Sequence, residues 1–311
     1  LFDFAARVDA RKLNKGVLEA LVQCGAFDSV LTEMGISRAR ALGAVDRALE
    51  RSRSASRDRE RGQTSLFGLL AGPSPGAAAA TGLDDYPPAE AWDRLEALAR
   101  EKAALGCYVS GHPLHRYGDK LSRIGAVAAA KVGAQEPWTV ATVVGMVEGY
   151  QERLFKGGSG GKAAFFELED MSGRVKAKLR SERIDTYGPL LTSGEAVMIT
   201  GKVSFPMTEE PDDEAEPTIL VDEVVPLADA VRKATRAVVI RIDGSRVDAE
   251  RLGRLGELLR AHAGSCPVEL VVGLPEGAKA VLALDGLRVD PGDGMLGGLE
   301  RLLADAVVEL R

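Results

Sequence analysis

The chain has 311 residues, of which 45% are hydrophobic and 28% are charged, so it can bury apolar cores and is long enough for two or three domains. Its 46 acidic and 40 basic side chains give a formal net charge of -6, which excludes a global positive field that would attract nucleic acid or an anionic membrane. The three cysteines are odd in number and far apart, so we expect no disulfide framework. No apolar run approaches the ~18 residues that span a bilayer, so we expect a cytoplasmic protein without membrane contact.

The first 60 residues have apolar side chains at helical spacing and predict a small helical unit. One helix follows Asn14, a typical N-capping residue, and a second covers 38–50. The segments 52–62 and 71–82 are polar or rich in Gly, Pro and Ala, which is typical of linkers. A third, amphipathic helix is predicted over 89–106.

From Trp138 to Pro226 the pattern changes to alternating polar and apolar residues, which predicts β-strands. Five strands with a helix between the third and the fourth form the element order of an OB-fold barrel. The predicted strands cover 138–153, 163–170, 174–180, 196–205 and 218–225, and the helix covers 182–191. The remaining residues predict a small separate α+β domain. Its strands cover 236–243, 267–273, 280–289 and 305–310, and its helices cover 249–262 and 292–304. The fold class is therefore multidomain α+β.

No motif in the sequence builds a catalytic centre. The Gly-rich run 157–162 lacks the Gly-x4-Gly-Lys spacing and the hydroxyl residue of a phosphate-binding loop, so a flexible hairpin is the better interpretation. Cys107, His112 and His115 lack a fourth ligand for zinc. We therefore expect no metal or cofactor in this chain, and a hydrolase or nucleotide-binding enzyme is the least favoured function class.

The third predicted strand carries a row of cations. These side chains are spaced by two and so share one face, while the apolar residues between them face the barrel interior. The row consists of Arg174, Lys176, Lys178 and Arg180. On the preceding strand the same alternation buries Phe166 and turns Phe165 outward. An exposed aromatic ring beside cations is what OB folds use to stack a base and hold phosphates, so we expect single-stranded DNA here.

Neighbouring charges extend or limit this predicted surface. Lys156 and Lys162 in the hairpin between strands one and two extend it. The loop 208–216 has six acidic residues and no basic one, so we expect DNA to run away from it. In the alternative interpretation, the cations pair with Glu167 and Glu169 and only solvate the outer face.

A short apolar island, 63–70, lies between the two predicted linkers. Gln63 followed by Leu66 and Phe67 has the design of a short peptide that docks in a pocket of another protein. The alternative is a linker that packs back onto its own domain.

The run Gln63-Thr64-Ser65-Leu66-Phe67 resembles the clamp-binding pentapeptide of bacterial replication proteins. Its surroundings resemble the C-terminal third of the alpha subunit of bacterial DNA polymerase III, in the right order over nearly the whole chain. The motifs that carry the resemblance are Asn14-Lys15, Gly25-Ala26-Phe27-Asp28, Glu101-Lys102, Leu105-Gly106, Ser110-Gly111-His112-Pro113-Leu114 and Phe165-Phe166-Glu167-Leu168-Glu169-Asp170.

This resemblance implies a division into five regions. They are the end of a helix-hairpin-helix module (1–60), a linker with the clamp-binding peptide (61–88), a helical connector (89–137), an OB domain for single-stranded template (138–226) and a domain that binds the tau subunit of the clamp loader (236–311). It further implies that the sliding clamp is bound by Gln63, Leu66 and Phe67. The contacts to the backbone of duplex DNA would come from Arg11, Lys12, Asn14 and Lys15.

The catalytic carboxylates of the family, which use magnesium, are expected upstream of Leu1. We therefore expect this segment not to polymerise DNA by itself. The alternative function, from another class, is a free-standing OB-fold adaptor that binds only proteins, which the net charge of -6 and the acidic loop favour.

Overall fold

The structure is a computed structural model. It describes residues 1–9, 12–60, 82–118, 120–154, 161–205, 216–274, 277–303 and 307–311. The chain divides into two compact units, Leu1–Gly111 and His112–Arg311, and the division falls inside the predicted connector 89–137. No helix in the described ranges combines the length and the hydropathy that a membrane span requires.

The first unit is helical. Its helices are α1 (Phe2–Arg7), α2 (Lys15–Gln23), α3 (Asp28–Glu33), α4 (Arg38–Gly43), α5 (Val45–Glu60) and α6 (Arg94–Leu105). The start of α2 is as predicted, because the Asn14 side chain accepts the backbone N–H of Val17 at 2.9 Å. Apolar side chains from α1 to α5 form one core, whose largest members include Phe2, Leu18 and Leu31.

Two predicted helices of this unit have different bounds in the structure. The helix predicted over 38–50 is divided at Ala44 and continues as α5 to Glu60, into the predicted linker 52–62. The buried Ser52 hydroxyl explains the extension, because it donates to the backbone oxygen of Ala5 at 2.6 Å and fastens a polar stretch of α5 to α1.

The helix predicted over 89–106 begins later than expected. It starts at Arg94, because the Asp93 side chain accepts the backbone N–H of Glu96 at 2.8 Å and so caps the helix. It ends as predicted at Gly106, which has a left-handed φ of 79°.

The second unit contains a closed five-stranded barrel. Its strands are β1 (Val140–Leu154), β2 (Lys162–Glu169), β3 (Arg174–Arg180), β4 (Val197–Ser204) and β5 (Thr218–Pro226). Their order around the barrel is β1-β2-β3-β5-β4, with β3 and β5 parallel and the other neighbours antiparallel. Before the barrel comes the short helix α7 (Lys120–Arg123), and between β3 and β4 lies α8 (Ser181–Leu191). The five predicted strands and their helix are therefore confirmed to within two residues at each end.

Strand β1 contains a bulge. Its register with β2 shifts between Glu148 and Gln151, because β1 has one more residue than β2 across this step. Gly149 lies at the bulge with a φ of 62°, a conformation that glycine adopts without a steric penalty. Beyond the bulge Gln151 lies opposite Phe165, and Arg153 lies on the same outer face.

The barrel leads into a second, four-stranded sheet. This part consists of α9 (Leu227–Ala234), β6 (Val238–Asp243), α10 (Ala249–Ala261), β7 (Ala263–Gly273), β8 (Lys279–Val289), α11 (Asp293–Leu302) and β9 (Val307–Leu310). The strand order is β8-β7-β6-β9, with β6 and β7 parallel. Helices α10 and α11 pack together, and their core includes Ile240, Leu259 and Met295. The predicted α+β arrangement is confirmed, whereas α9 was not predicted.

A buried guanidinium fastens the start of the second unit to α11. The Arg116 side chain is 3% exposed, and its Nη2 lies 2.8 Å from Oε2 of Glu300. Its Nη1 lies 3.2 Å from Oδ1 of Asp293, which also accepts the hydroxyl of Tyr117 at 2.9 Å. Burial and the Asp293 carboxylate raise the pKa of Tyr117, so this hydroxyl stays protonated as a donor.

Candidate nucleic-acid interface

The cations of β3 and the outward aromatic ring of β2 lie on one outer face of the barrel, as predicted. Val175, Ala177 and Leu179 are buried in the barrel, which leaves the basic side chains outside. The register places Phe165 directly opposite Lys178. We call the outer-face residues around this ring the Phe165 surface. It consists of Gln151 and Arg153 of β1, Phe165 of β2, and Lys178 and Arg180 of β3.

Phe165 is half-buried between two cations from the neighbouring strands. The guanidinium carbon of Arg153 lies 5.3 Å from the ring centroid, and Nζ of Lys178 lies 5.5 Å from it. Both distances are within the range in which a ring attracts a cation. Arg153 also donates from Nη2 to Oε1 of Gln151 at 3.3 Å. Neither Arg153 nor Gln151 was predicted as a site residue.

The other half of the cation row faces carboxylates. Arg174 lies 3.2 Å from a carboxylate oxygen of Glu169 and 3.9 Å from one of Glu167. Lys176 forms an ion pair with Glu216, and this hydrogen bond raises the pKa of Lys176. The alternative interpretation of the row, as paired surface charge, therefore describes Arg174 and Lys176.

The acidic loop ends at the cation row instead of away from it. Its last residue, Glu216, contacts Lys176, because β5 pairs in parallel with β3 and Thr218 lies opposite Lys176. DNA that followed the cation row as far as Lys176 would therefore meet a carboxylate of this loop. The rest of the loop, residues 208–215, is outside the described part of the chain.

Lys162 does not join the Phe165 surface. It forms an ion pair with Glu152, which also accepts the hydroxyl of Tyr150 at 3.0 Å. Burial, together with Glu152, raises the pKa of Tyr150 to about 12. These groups and Asp185 of α8 line a separate cleft of about 530 Å³. The predicted extension through Lys162 is therefore wrong in its placement, because alternate residues of β2 lie on opposite faces, and Lys156 lies outside the described residues.

In the first unit, the residues predicted to contact duplex DNA are held in different ways. The Asn14 side chain caps α2, and Nζ of Lys15 lies 2.8 Å from Oδ2 of Asp46. Lys12 is exposed, and Arg11 lies outside the described residues. Among the described residues of this set, Asn14 and Lys15 therefore already have partners within the unit.

The turn between α2 and α3 is held by one arginine. Arg38 donates from Nε to Oδ1 of Asp28 at 2.8 Å and from Nη1 to the backbone oxygen of Gln23 at 3.1 Å. Gly25 in this turn has a φ of 81°, and a Cβ there would lie 2.2 Å from Nη2 of Arg38. The left-handed φ favours glycine at this position, which gives the Gly25-to-Asp28 motif a structural reason.

One further set of predicted site residues has no described geometry. Gln63, Leu66 and Phe67 lie outside the described residues, so the predicted clamp peptide has no structural account. Within the described ranges, no group of three or more His, Cys, Asp or Glu side chains is arranged to hold a metal ion.

Comparisons with protein families agree with this architecture. Residues 141–227 match the family model described as OB-fold nucleic acid binding domain, and residues 1–41 match a helix-hairpin-helix motif. Among solved structures, the second OB-fold domain of replication protein A from Methanococcus maripaludis covers 31% of this chain and 92% of its own. Its sequence identity is 19% and its TM-score is 0.25, so this likeness adds nothing to the family-model match.

Sequence relatives extend over the whole chain. The DNA polymerase III alpha subunits of Escherichia coli K12 and Vibrio cholerae are each 30% identical to it, over 313 and 312 residues respectively. Each alignment covers 100% of this chain and 26% of the relative, so the chain spans about a quarter of the length of these proteins. The resemblance read from the sequence motifs is confirmed. This chain is homologous, along its whole length, to the C-terminal part of the bacterial DNA polymerase III alpha subunits.

Proposed function

We propose that the second unit binds single-stranded DNA on the Phe165 surface, as part of the alpha subunit of a replicative DNA polymerase. The observation that carries this proposal is an aromatic ring on the outer face of a closed OB barrel, placed between Arg153 and Lys178 of the two flanking strands. The family-model match to an OB-fold nucleic acid binding domain supports it.

The distribution of charge favours one path for the DNA. Toward Arg174 the face carries Glu167 and Glu169, and Glu216 adjoins Lys176. These carboxylates repel phosphate, so a strand laid along β3 would leave the positive region. A strand that crosses from β3 over Phe165 to β1 keeps its phosphates near cations throughout. The proposed path therefore runs across the strands rather than along β3.

Replacing Phe165 with Ala tests the stacking role. A base stacked on an aromatic side chain contributes about 1 to 3 kcal/mol, so Phe165→Ala is expected to weaken binding by roughly 5- to 150-fold. The dependence of affinity on salt should stay the same, because no charge is removed. Fluorescence anisotropy with a labelled oligo-dT measures both quantities. Phe165→Tyr, which keeps the ring, should bind as the parent does. Unchanged affinity in Phe165→Ala would favour the protein-only adaptor.

Two lysines on the same strand supply a matched test of the electrostatic part. Lys178→Gln removes a cation beside Phe165, whereas Lys176→Gln removes one that already pairs with Glu216. We expect Lys178→Gln to reduce the slope of log K against log salt by about 0.7, the value for one phosphate contact with a single strand. Lys176→Gln should leave the slope near that of the parent. Equal losses in the two variants would contradict the proposed path.

The homology also supports partners for the rest of the chain. We infer that Gln63, Leu66 and Phe67 bind the sliding clamp and that residues 236–311 bind the tau subunit of the clamp loader. In the first unit, the helix-hairpin-helix motif of residues 1–41 supports contact with duplex DNA. Lys12 is the favoured phosphate contact there, since Asn14 and Lys15 already have partners within the unit.

A further inference from the structure

A second positive surface lies where the barrel passes into the C-terminal sheet. It is built from two short segments, the helix α7 and the end of α9 with the residues that follow. We call it the junction patch, and it consists of Lys120, Arg123, Lys233 and Arg236. None of these residues belongs to the Phe165 surface.

One hydrogen bond brings the two segments together. Lys120 is 5% exposed and donates from Nζ to the backbone oxygen of Ala234 at 2.7 Å, in the last turn of α9. Arg123 lies three residues after Lys120 and therefore on the same side of α7. Lys233 and Arg236 flank Ala234 in the chain, and both are exposed, as is Arg123. The buried ammonium thus lies near the exposed Arg123 and Arg236, and Lys233 adjoins its partner Ala234 in the chain.

The surroundings do not neutralise this charge. Burial, and after it Arg123 and Arg236, lower the pKa of Lys120, which shows that like charges converge there. Within the described residues, no carboxylate forms an ion pair with Arg123, Lys233 or Arg236. The adjacent Arg232 differs, since it pairs with Asp290. Asp119, next to Lys120 in sequence, is outside the described residues.

The patch has the composition of a phosphate contact rather than of a protein interface. The large apolar side chains that are exposed in the described structure lie elsewhere, and none falls within 120–124 or 227–237. Protein interfaces depend on buried aromatic and aliphatic anchors, whereas contacts to a nucleic-acid backbone need cations alone. We propose that the junction patch binds the phosphodiester backbone of DNA without sequence preference. The inference rests on the proposed function for the identity of its ligand.

The test compares four forms of the full chain on a labelled dT 30-mer. These are the parent, Phe165→Ala, the double variant Arg123→Gln with Arg236→Gln, and the triple variant. Two lost contacts should lower the salt slope by about 1.4. On raising salt fourfold, the parent should therefore lose about sevenfold more affinity than the double variant. The same difference should appear between Phe165→Ala and the triple variant.

Controls separate the two proposals. The pair Arg251→Gln with Arg254→Gln on α10 also removes two arginines from this unit and should leave the slope unchanged. Thermal melts should show that every variant is folded. If the Arg123 and Arg236 double variant kept the salt slope of the parent, the proposal that the junction patch binds DNA would be overturned. If that variant also lost binding to poly-glutamate, the patch would be assigned to an acidic protein instead. If the double variant lowered the salt slope while Phe165→Ala bound DNA as tightly as the parent, the Phe165 surface would be overturned and the junction patch would stand.

Discussion

Alanine at both Leu66 and Phe67 is expected to remove most of the affinity of this chain for a bacterial sliding clamp. Short docking peptides concentrate their binding energy in a few buried anchors, so each truncation should cost about 2 kcal/mol or more, which is roughly 30-fold in Kd. Isothermal titration calorimetry of the full chain with the purified clamp measures this directly.

The neighbouring Thr64 supplies the control for this peptide. It occupies a variable position of the pentapeptide, so Thr64→Ala should bind the clamp nearly as well as the parent. If the double variant at Leu66 and Phe67 kept the affinity of the parent, the apolar island would not be the clamp-binding segment. The alternative of a linker packed onto its own domain would then be the better interpretation.

A single methyl group at Gly201 should destabilise the barrel by about 3 kcal/mol, the upper part of the usual range for overpacked sites. Gly201 lies in β4, where the register with β5 is irregular, and a Cβ there would be 2.3 Å from the backbone oxygen of Leu220. It would also be 2.8 Å from Cγ2 of Ile219, so backbone and core would both have to move. Urea unfolding of Gly201→Ala, with hydrogen exchange of the β4 and β5 amides, measures the loss.

A second glycine gives the opposite sign. Gly253 lies exposed within α10, and a Cβ there meets nothing within 4 Å. Because alanine favours a helix over glycine, Gly253→Ala should stabilise the protein by about 0.5 to 1 kcal/mol.

The prediction for Gly201 has its own contradicting result. If the β4 and β5 amides of Gly201→Ala exchanged as slowly as those of the parent, the added methyl group would not destabilise the barrel.

The barrel strands could be predicted because each has one face in the core and one in solvent. In β3, for example, Val175, Ala177 and Leu179 alternate with basic residues, and that period of two is visible in the sequence. Helix α9 was missed because it follows Pro226 directly, without a capping side chain. The extension of α5 was missed because a hydroxyl contact from Ser52, rather than an apolar stripe, holds it.

The outward face of the site could be predicted, but its electrostatics could not. Periodicity shows that the four cations of β3 share a face, yet the partner of each depends on strand register and on residues distant in the chain. Glu216 reaches Lys176 only because β5 closes the barrel beside β3. The charge around Phe165 therefore became visible only with the strand pairing.

The bulge in β1 determines which sign of charge stands beside Phe165. In a regular ladder of the same sequence, counting by two from Glu148 would bring Glu152 to the outer face, opposite Ala163. A carboxylate would then occupy the place of Arg153 and repel the phosphates that the arginine attracts. The sign of the charge that β1 presents beside Phe165 is thus encoded in the backbone conformation at Gly149.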